Sequence, residues 1–530
     1  MRLSRRSILK SAGALPLLAG SFGFEALAQT APSVPAAAEV PPILFVHGNG
    51  DHAALWITSM WRMESNGVPR ERMFAINFTD PLARSDDKVE QANRSSTEDQ
   101  RRELADAVKE LKRRTGAPRV ALVGNSRGGN PIRNYIKNGG GGDVSHAVLC
   151  GVPNHGVYDW DDGLGGEFNG RGPFLRDLNA GENEVTDGTA FLTLRSDGID
   201  KFAQTDGRFV GKPGTPTGVT TDGPALKGAT NLVLGAVDHR ETAFHPRAFR
   251  EIYKFIAGRE PSRIEIVPEA QVKLSGLVTG TPGGVQTNRP VSGALVDVYR
   301  VSAETGDRSG GPIHSSQTGA DGLWGPAQVD PSWYLEIVLT SAGSTTTHFY
   351  RSPFPRSSDI VHLRAARPPG AADAGAGAVV LMSRPRGYFG LPRDVVLLDG
   401  KEPKDVKPGV PTDSVTTLRL PAAEAGRTGG GAVQPGADRG PGLAGVREPD
   451  CGGRADLLAV CQCRRLCSAG FRHIDRTVAR MSTAICGAWR NPGYRCAHPG
   501  DESDVHEHSR SLRHTGHPGA AGAAEPAARA

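Results

Sequence analysis

The sequence predicts an α/β fold in its first half, an all-β sandwich-like region after it, and a poorly ordered tail. Three observations carry this. Between residues 43 and 257, short apolar runs alternate with segments whose apolar residues recur at three and four positions. From about Ile264 the apolar spacing drops to two, in runs separated by turns rich in Gly, Pro and Asp. From about Gly426 neither period survives, and Gly, Ala, Arg, His and Cys accumulate without order. At 530 residues the chain has room for several domains.

The chain opens on a targeting pattern. Ser4-Arg5-Arg6-Ser7-Ile8-Leu9-Lys10 precedes a modestly apolar stretch, Ala12 to Phe24, and a small-x-small site, Ala26-Leu27-Ala28. This order predicts a twin-arginine export signal over residues 1–28, read by the twin-arginine export machinery, and a periplasmic or secreted bacterial protein. The apolar stretch is too short and too rich in Gly for a membrane span. A Pro/Ala linker over 29–42 follows. The formal net charge is +5 with the basic residues dispersed, so no nucleic-acid footprint is expected.

The first domain is expected over residues 43–260. Ile43 to Val46 reads as a buried strand that ends at His47-Gly48-Asn49-Gly50, and Met73 to Phe78 as a second. Thr97 and Gln100 have the spacing of a capping box. Leu104, Ala107, Val108 and Leu111 then form one helical stripe, which Gly116 and Pro118 end. Arg119 to Val123 is a strand and Gly129 to Lys137 a helix. Further strands are expected at Ala147–Cys150, Phe191–Leu194 and from Leu232 to Val237, and a closing helix from Pro246. The Gly/Asp-rich segment from Tyr158 to Gly188 reads either as a lid or as a surface insertion.

A β-sandwich over 264–366 is expected from the alternation in Val272–Val278, Ala294–Val301, Trp333–Leu339 and His348–Tyr350. An Ala/Gly/Pro linker over 367–378 and a second β-rich segment over 379–421 follow. The tail, 426–530, holds six of the seven cysteines, in spacings that match neither paired CxxC motifs nor a zinc pattern. It reads as disordered or out-of-frame sequence. No metal and no cofactor are expected.

The chemistry centres on Gly124-Asn125-Ser126-Arg127-Gly128, set between a buried strand and a helix. That setting makes a sharp turn and projects the Ser126 oxygen, and the flanking glycines remove the side chains that would collide there. A nucleophilic serine needs a base, a group that orients the base, and donors for an oxyanion. The loop after Phe191–Leu194 offers Asp200 as the acid, with Asp197 as the alternative. His239 follows the last strand and is the expected base. Its competitor His245 abuts Pro246 at the start of a helix. The backbone N–H groups of Asn49 and Arg127 are the expected oxyanion donors.

With Val46–Gly50, Val120–Gly129, Val148–Gly156 and Asp238-His239 in view, residues 41–257 resemble a bacterial lipase or esterase of the α/β-hydrolase superfamily, nearest the class 2 lipases. The resemblance implies an α/β-hydrolase catalytic domain with a mostly parallel sheet, a Ser126–His239–Asp200 triad and hydrolysis of an acyl ester. It also implies that His47 and His155 line the substrate. Two residues depart from the family pattern. Asn125 stands where a His is usual, and Arg127 where a small or apolar residue is. The second is expected to place a guanidinium near the mouth of the site. Two other functions fit the same organisation: a polyester (polyhydroxyalkanoate) depolymerase held on polymer by its sandwich, and a non-catalytic surface- or glycan-binding protein on a hydrolase scaffold.

Overall fold

The structure, a computed structural model, describes residues 40–366, 368–384 and 387–424, together with the strand backbones at 431–434 and 460–465. The export signal and nearly all of the tail lie outside the described residues.

In the first domain β1 (Ile43–Val46), α1 (Ile57–Ser65), β2 (Met73–Ala75), α2 (Thr97–Thr115), β3 (Val120–Asn125), α3 (Gly129–Lys137) and β4 (Val144–Cys150) come first. Then follow α4 (Pro173–Leu178), β5 (Ala190–Ser196), β6 (Thr230–Leu234) and α5 (Pro246–Ala257). The six strands form one sheet in the order β2-β1-β3-β4-β5-β6. Every pairing in it is parallel. A parallel sheet needs both faces covered, and strand alternation shows how this is done. Ile43, Phe45, Ala121 and Val123 face a core closed by Met60 and Met63 of α1 and Phe249, Ile252 and Tyr253 of α5. Leu44, Val46, Val120 and Leu122 face the opposite core, closed by Leu104 and Val108 of α2 and Ile132 and Ile136 of α3.

Some boundaries differ from the sequence reading. The capping box of α2 is Ser96 with Asp99, one residue earlier than Thr97 and Gln100. Ser96 has the extended backbone that an N-cap needs, its Oγ accepts from the Asp99 N–H at 3.1 Å, and its own N–H donates to Asp99 Oδ2 at 3.0 Å. β2 stops at Ala75, because the Phe78 N–H turns to His47 Nε2 at 3.1 Å. β6 stops at Leu234, and Ala236 then takes a positive φ of 58°.

The all-β part comprises β7 (Val272–Thr279), β8 (Leu295–Val301), β9 (His314–Gln317), β10 (Leu323–Val329), β11 (Tyr334–Thr340), β12 (Thr347–Arg351) and β13 (Leu363–Arg364). A second group is β14 (Ala376–Ser383), β15 (Val395–Leu398), β16 (Val415–Pro421), β17 (Gly431–Gln434) and β18 (Val460–Arg465). They form sheets ordered β10-β7-β13, β16-β14-β18-β12-β11-β8-β9, and β15-β17. Val272, Leu274, Val296, Val298, Trp324 and Ile337 make one core, which also takes in Trp61 of α1. This sandwich is docked on the first domain. Trp61 Nε1 donates to Ser357 O at 2.8 Å, Asn288 Nδ2 to Asp51 O and Phe78 O at 3.0 and 2.9 Å, and Arg356 Nε to Glu64 Oε2 at 2.7 Å.

The second group has its own core of Val380, Met382, Phe389, Val396 and Leu420. The described part of the expected linker is partly ordered. Asp373 Oδ2 accepts from the Gly370 N–H at 3.0 Å, its Oδ1 from Arg419 Nε at 3.1 Å, and β14 begins at Ala376. Two pieces of the expected structureless tail are strands, β17 against β15 and β18 between β14 and β12. Unpaired strand edges offer rows of N–H and C=O groups, and a segment of almost any composition can fill them. Among the described residues, no helix is long and apolar enough to cross a membrane.

Candidate active site

β3 delivers the chain to Ser126, whose φ of 53° lies in the left-handed region. A serine pays for that conformation with backbone strain, typically about 1–3 kcal/mol, so the surroundings must hold it. They do so by close packing of backbone. A Cβ on Gly124 would lie 2.9 Å from Gly128 O, and one on Gly128 would lie 2.6 Å from Val46 O and His47 O. Both positions therefore exclude any larger residue. The Ser126–Gly128 turn runs straight into α3.

The residues flanking Ser126 are structural ties. Asn125 is buried, and its Nδ2 donates to Cys150 O at 2.9 Å and His239 O at 3.4 Å. This one side chain joins the elbow, the end of β4 and the His239 loop. Arg127 corrects the expectation of a guanidinium at the mouth, for it is 0% exposed. A buried guanidinium must be paired and hydrogen-bonded. Nε donates to Glu167 Oε1 at 2.7 Å, Nη1 to Pro81 O and Ser95 Oγ at 3.0 Å, and Nη2 to Ser95 O at 2.9 Å. Asn130 Nδ2 holds the other Glu167 oxygen at 2.9 Å. The Tyr158–Gly188 segment is thus pinned to the elbow through Glu167.

The structure brings Asp200 to His239. Asp200 Oδ2 lies 2.8 Å from His239 Nδ1, and its Oδ1 accepts from the Phe202 N–H at 2.8 Å. Facing a carboxylate, Nδ1 carries the proton. His239 is buried, and its Nε2 has no hydrogen-bond partner among the described residues. Phe202 packs edge-on against the ring at 4.7 Å. Asp197 is spent elsewhere, its Oδ2 accepting from the Ala236 N–H at 2.8 Å. His245 caps α5 by accepting from the Arg247 N–H at 3.2 Å.

Ser126, His239 and Asn49 line one cleft of about 600 Å³. The Asn49 side chain accepts from the Ala83 N–H at 2.9 Å, which fixes the loop after β1. His47 does not line this cleft. It is 1% exposed, donates from Nδ1 to Gly48 O at 2.9 Å and accepts at Nε2 from Phe78, and burial pushes its pKa down to about 4. Both ring nitrogens of a neutral imidazole are therefore used by backbone. His155 lines a neighbouring cleft of about 120 Å³ bounded by Leu194, Phe202, Leu226 and His239, and its Nε2 meets Glu184 at 3.1 Å.

Sequence reasoning missed the outer wall of the larger cleft. Ser383, Tyr388 and Thr412–Val415, from the second β group, line it together with Ser126. Lys201 Nζ donates to Thr412 O at 3.0 Å and sits 3.9 Å from the Tyr388 ring. Burial, with Arg240 nearby, lowers the Lys201 pKa to about 8. The wall is tied to Asp238 and Glu241, on either side of His239. The Tyr388 N–H donates to Asp238 Oδ2 at 2.7 Å, Arg393 Nη1 to Glu241 Oε2 at 2.9 Å, and Arg384 pairs with Glu241 and, at 2.8 Å, with Asp394. These contacts join positions some 150 residues apart in the chain, so no local motif marks them.

Residues 40–158 match the family model for lipase (class 2), and residues 270–368 the model for the lipase C-terminal domain. Over these two segments the chain is class 2 lipase-like. Among solved structures it is similar to Aspergillus fumigatus lipase B, at 13% identity and a TM-score of 0.31, over 43% of this chain and 55% of the fungal one. It is also similar to mature Bacillus licheniformis lipase BlEst2, at 21% identity and a TM-score of 0.29, over 42% of this chain and 93% of that one. A Bacillus subtilis carboxylesterase shares 14% identity at a TM-score of 0.23, over 42% of this chain and 85% of its own. The comparison with curated proteins returns no match. The second β group lies beyond both matched spans, so the outer wall of the cleft is built by sequence that neither family model covers.

Proposed function

We propose that the protein is an exported carboxylic ester hydrolase that works through Ser126, His239 and Asp200. The observation that carries this is the 2.8 Å contact of Asp200 with His239 Nδ1, with an unpartnered Nε2, in a residue that lines the same cleft as a strained elbow serine. Asp200 fixes the tautomer and steadies the imidazolium as it forms. His239 Nε2 takes the Ser126 proton, and Ser126 attacks the ester carbonyl. The Asn49 and Arg127 N–H groups receive the oxyanion. His239 then protonates the leaving alcohol, and a water activated by the same imidazole releases the acyl group.

The assignment is tested with Ser126→Ala on short p-nitrophenyl esters. It predicts a fall in kcat of at least about 10³-fold with the fold intact by circular dichroism. Undiminished hydrolysis by that variant would end it. The export half of the proposal rests on Ser4–Lys10. Replacing Arg5 and Arg6 with Lys should leave the protein in the cytoplasmic fraction, and unchanged export would contradict it.

A further inference from the structure

The cleft that holds Ser126 is lined unlike a channel for a hydrocarbon chain. Its apolar contributors are Leu82, Phe202, Val415 and the Tyr388 ring. The remaining lining is mostly polar and comes from separate stretches of chain that reach well beyond the triad loops. Gln286 belongs to the sandwich, Lys201 to the Asp200 loop, and Ser383, Asp413 and Ser414 to the second β group. Sites that hold long acyl chains are lined mainly by apolar side chains, with a few polar groups to orient the ligand. Here the proportion is reversed. Hydrocarbon laid against these groups would strip their water and offer no hydrogen bond in return.

The charges in the cleft are already balanced. Arg240 pairs with Asp51, and Lys201 has Asp413 and Asp200 nearby. His52 is stacked on His362 at 3.7 Å, and burial holds both rings neutral, His52 at about 3. A net anion or cation therefore gains little here. Neutral groups that both donate and accept suit the lining. The wall is also fixed in place, because Arg384 and Arg393 bind Glu241 and the Tyr388 N–H binds Asp238, on either side of His239.

We propose that the substrate is a hydroxyl-bearing ester, and that the wall formed by Ser383, Asp413 and Ser414 hydrogen-bonds its hydroxyl groups while Ser126 attacks. This rests on the function proposed above and narrows it, since the second β group becomes part of the substrate site. A site that pairs a substrate hydroxyl rejects the analogue lacking it, because its own polar groups are then stranded.

The test uses the whole protein and two matched ester pairs. One pair is glycerol monobutyrate against propyl butyrate, and the other ethyl 3-hydroxybutyrate against ethyl butyrate. The first varies the alcohol and the second the acyl arm. At least one pair should favour the hydroxylated member by about tenfold or more in kcat/KM. Ser383→Leu with Ser414→Leu should narrow that ratio to within about threefold, and Ser414→Ala alone should narrow it partway if the double variant fails to fold. Equal rates within both pairs, or faster hydrolysis of the alkyl members, would overturn the inference and leave the Ser126 assignment standing. No hydrolysis of any ester would strike that assignment itself.

Discussion

The two walls of the cleft are built in different ways. The inner wall is local. Ser126, its glycines and the loop after β1 meet because β1 and β3 are neighbours in a parallel sheet, and one tight turn separates β3 from α3. The outer wall is assembled from a distance, by residues of the second β group held to the His239 loop through Arg384 and Arg393. The lesson is that reactivity and selectivity have separate structural origins. On the proposed reading, a short motif places the nucleophile, and long-range ion pairs place the wall that would face the substrate.

The largest effect should come from the residues proposed to act with the inner wall's Ser126. Asp200→Asn should lower kcat by about 10⁴-fold, because an amide facing Nδ1 favours the wrong tautomer. Asp197→Asn should cost less than tenfold, since Asp197 binds the Ala236 N–H instead. Comparable losses in the two variants would erase the distinction between them. Next comes the buried tie behind the elbow. Glu167→Ala strands the Arg127 guanidinium and should destabilise the fold by about 3–5 kcal/mol, read as a drop in Tm. A Tm within 1 °C of the parent would contradict the tie.

The outer wall should give a smaller, more selective effect. Arg393→Ala loosens the attachment to Glu241 and should reduce kcat/KM by about tenfold through KM more than kcat. An equal loss in kcat would mean that this wall serves the chemistry as well as the substrate. The smallest effect on catalysis should come from the sandwich interior. Burial disfavours the Glu336 carboxylate, yet its bonds to His348 and Arg308 outweigh that and hold its pKa near 2. Its folded value lies below that of the unfolded chain. Its contribution is therefore complete above about pH 4.5 and is lost as pH falls toward 2. Glu336→Gln should flatten the fall in Tm over that range and leave kcat/KM at neutral pH unchanged.

The same contrast decides what the sequence made legible. The α/β domain was readable because apolar spacing reports strand and helix directly, as in Ile43–Val46 and the Leu104, Val108, Leu111 stripe. Asp200 could be named beside Asp197, but separating them needed the Ala236 backbone turn, which occupies one carboxylate. Arg127 misled because a charged residue beside a nucleophile reads as exposed. Its partner Glu167 is 40 positions away, and no local pattern pairs them. His47 misled similarly, since its role depends on a Phe78 N–H released by the early end of β2. The outer wall had no sequence signature. Lys201, Tyr388 and Ser414 come together only through tertiary packing.

Fluorophosphonate labelling with peptide mapping tests the central claim most directly. The account predicts one modified serine, Ser126, with labelling slowed at least about 10²-fold in His239→Ala. Label at another serine, or labelling at an undiminished rate without His239, would contradict it.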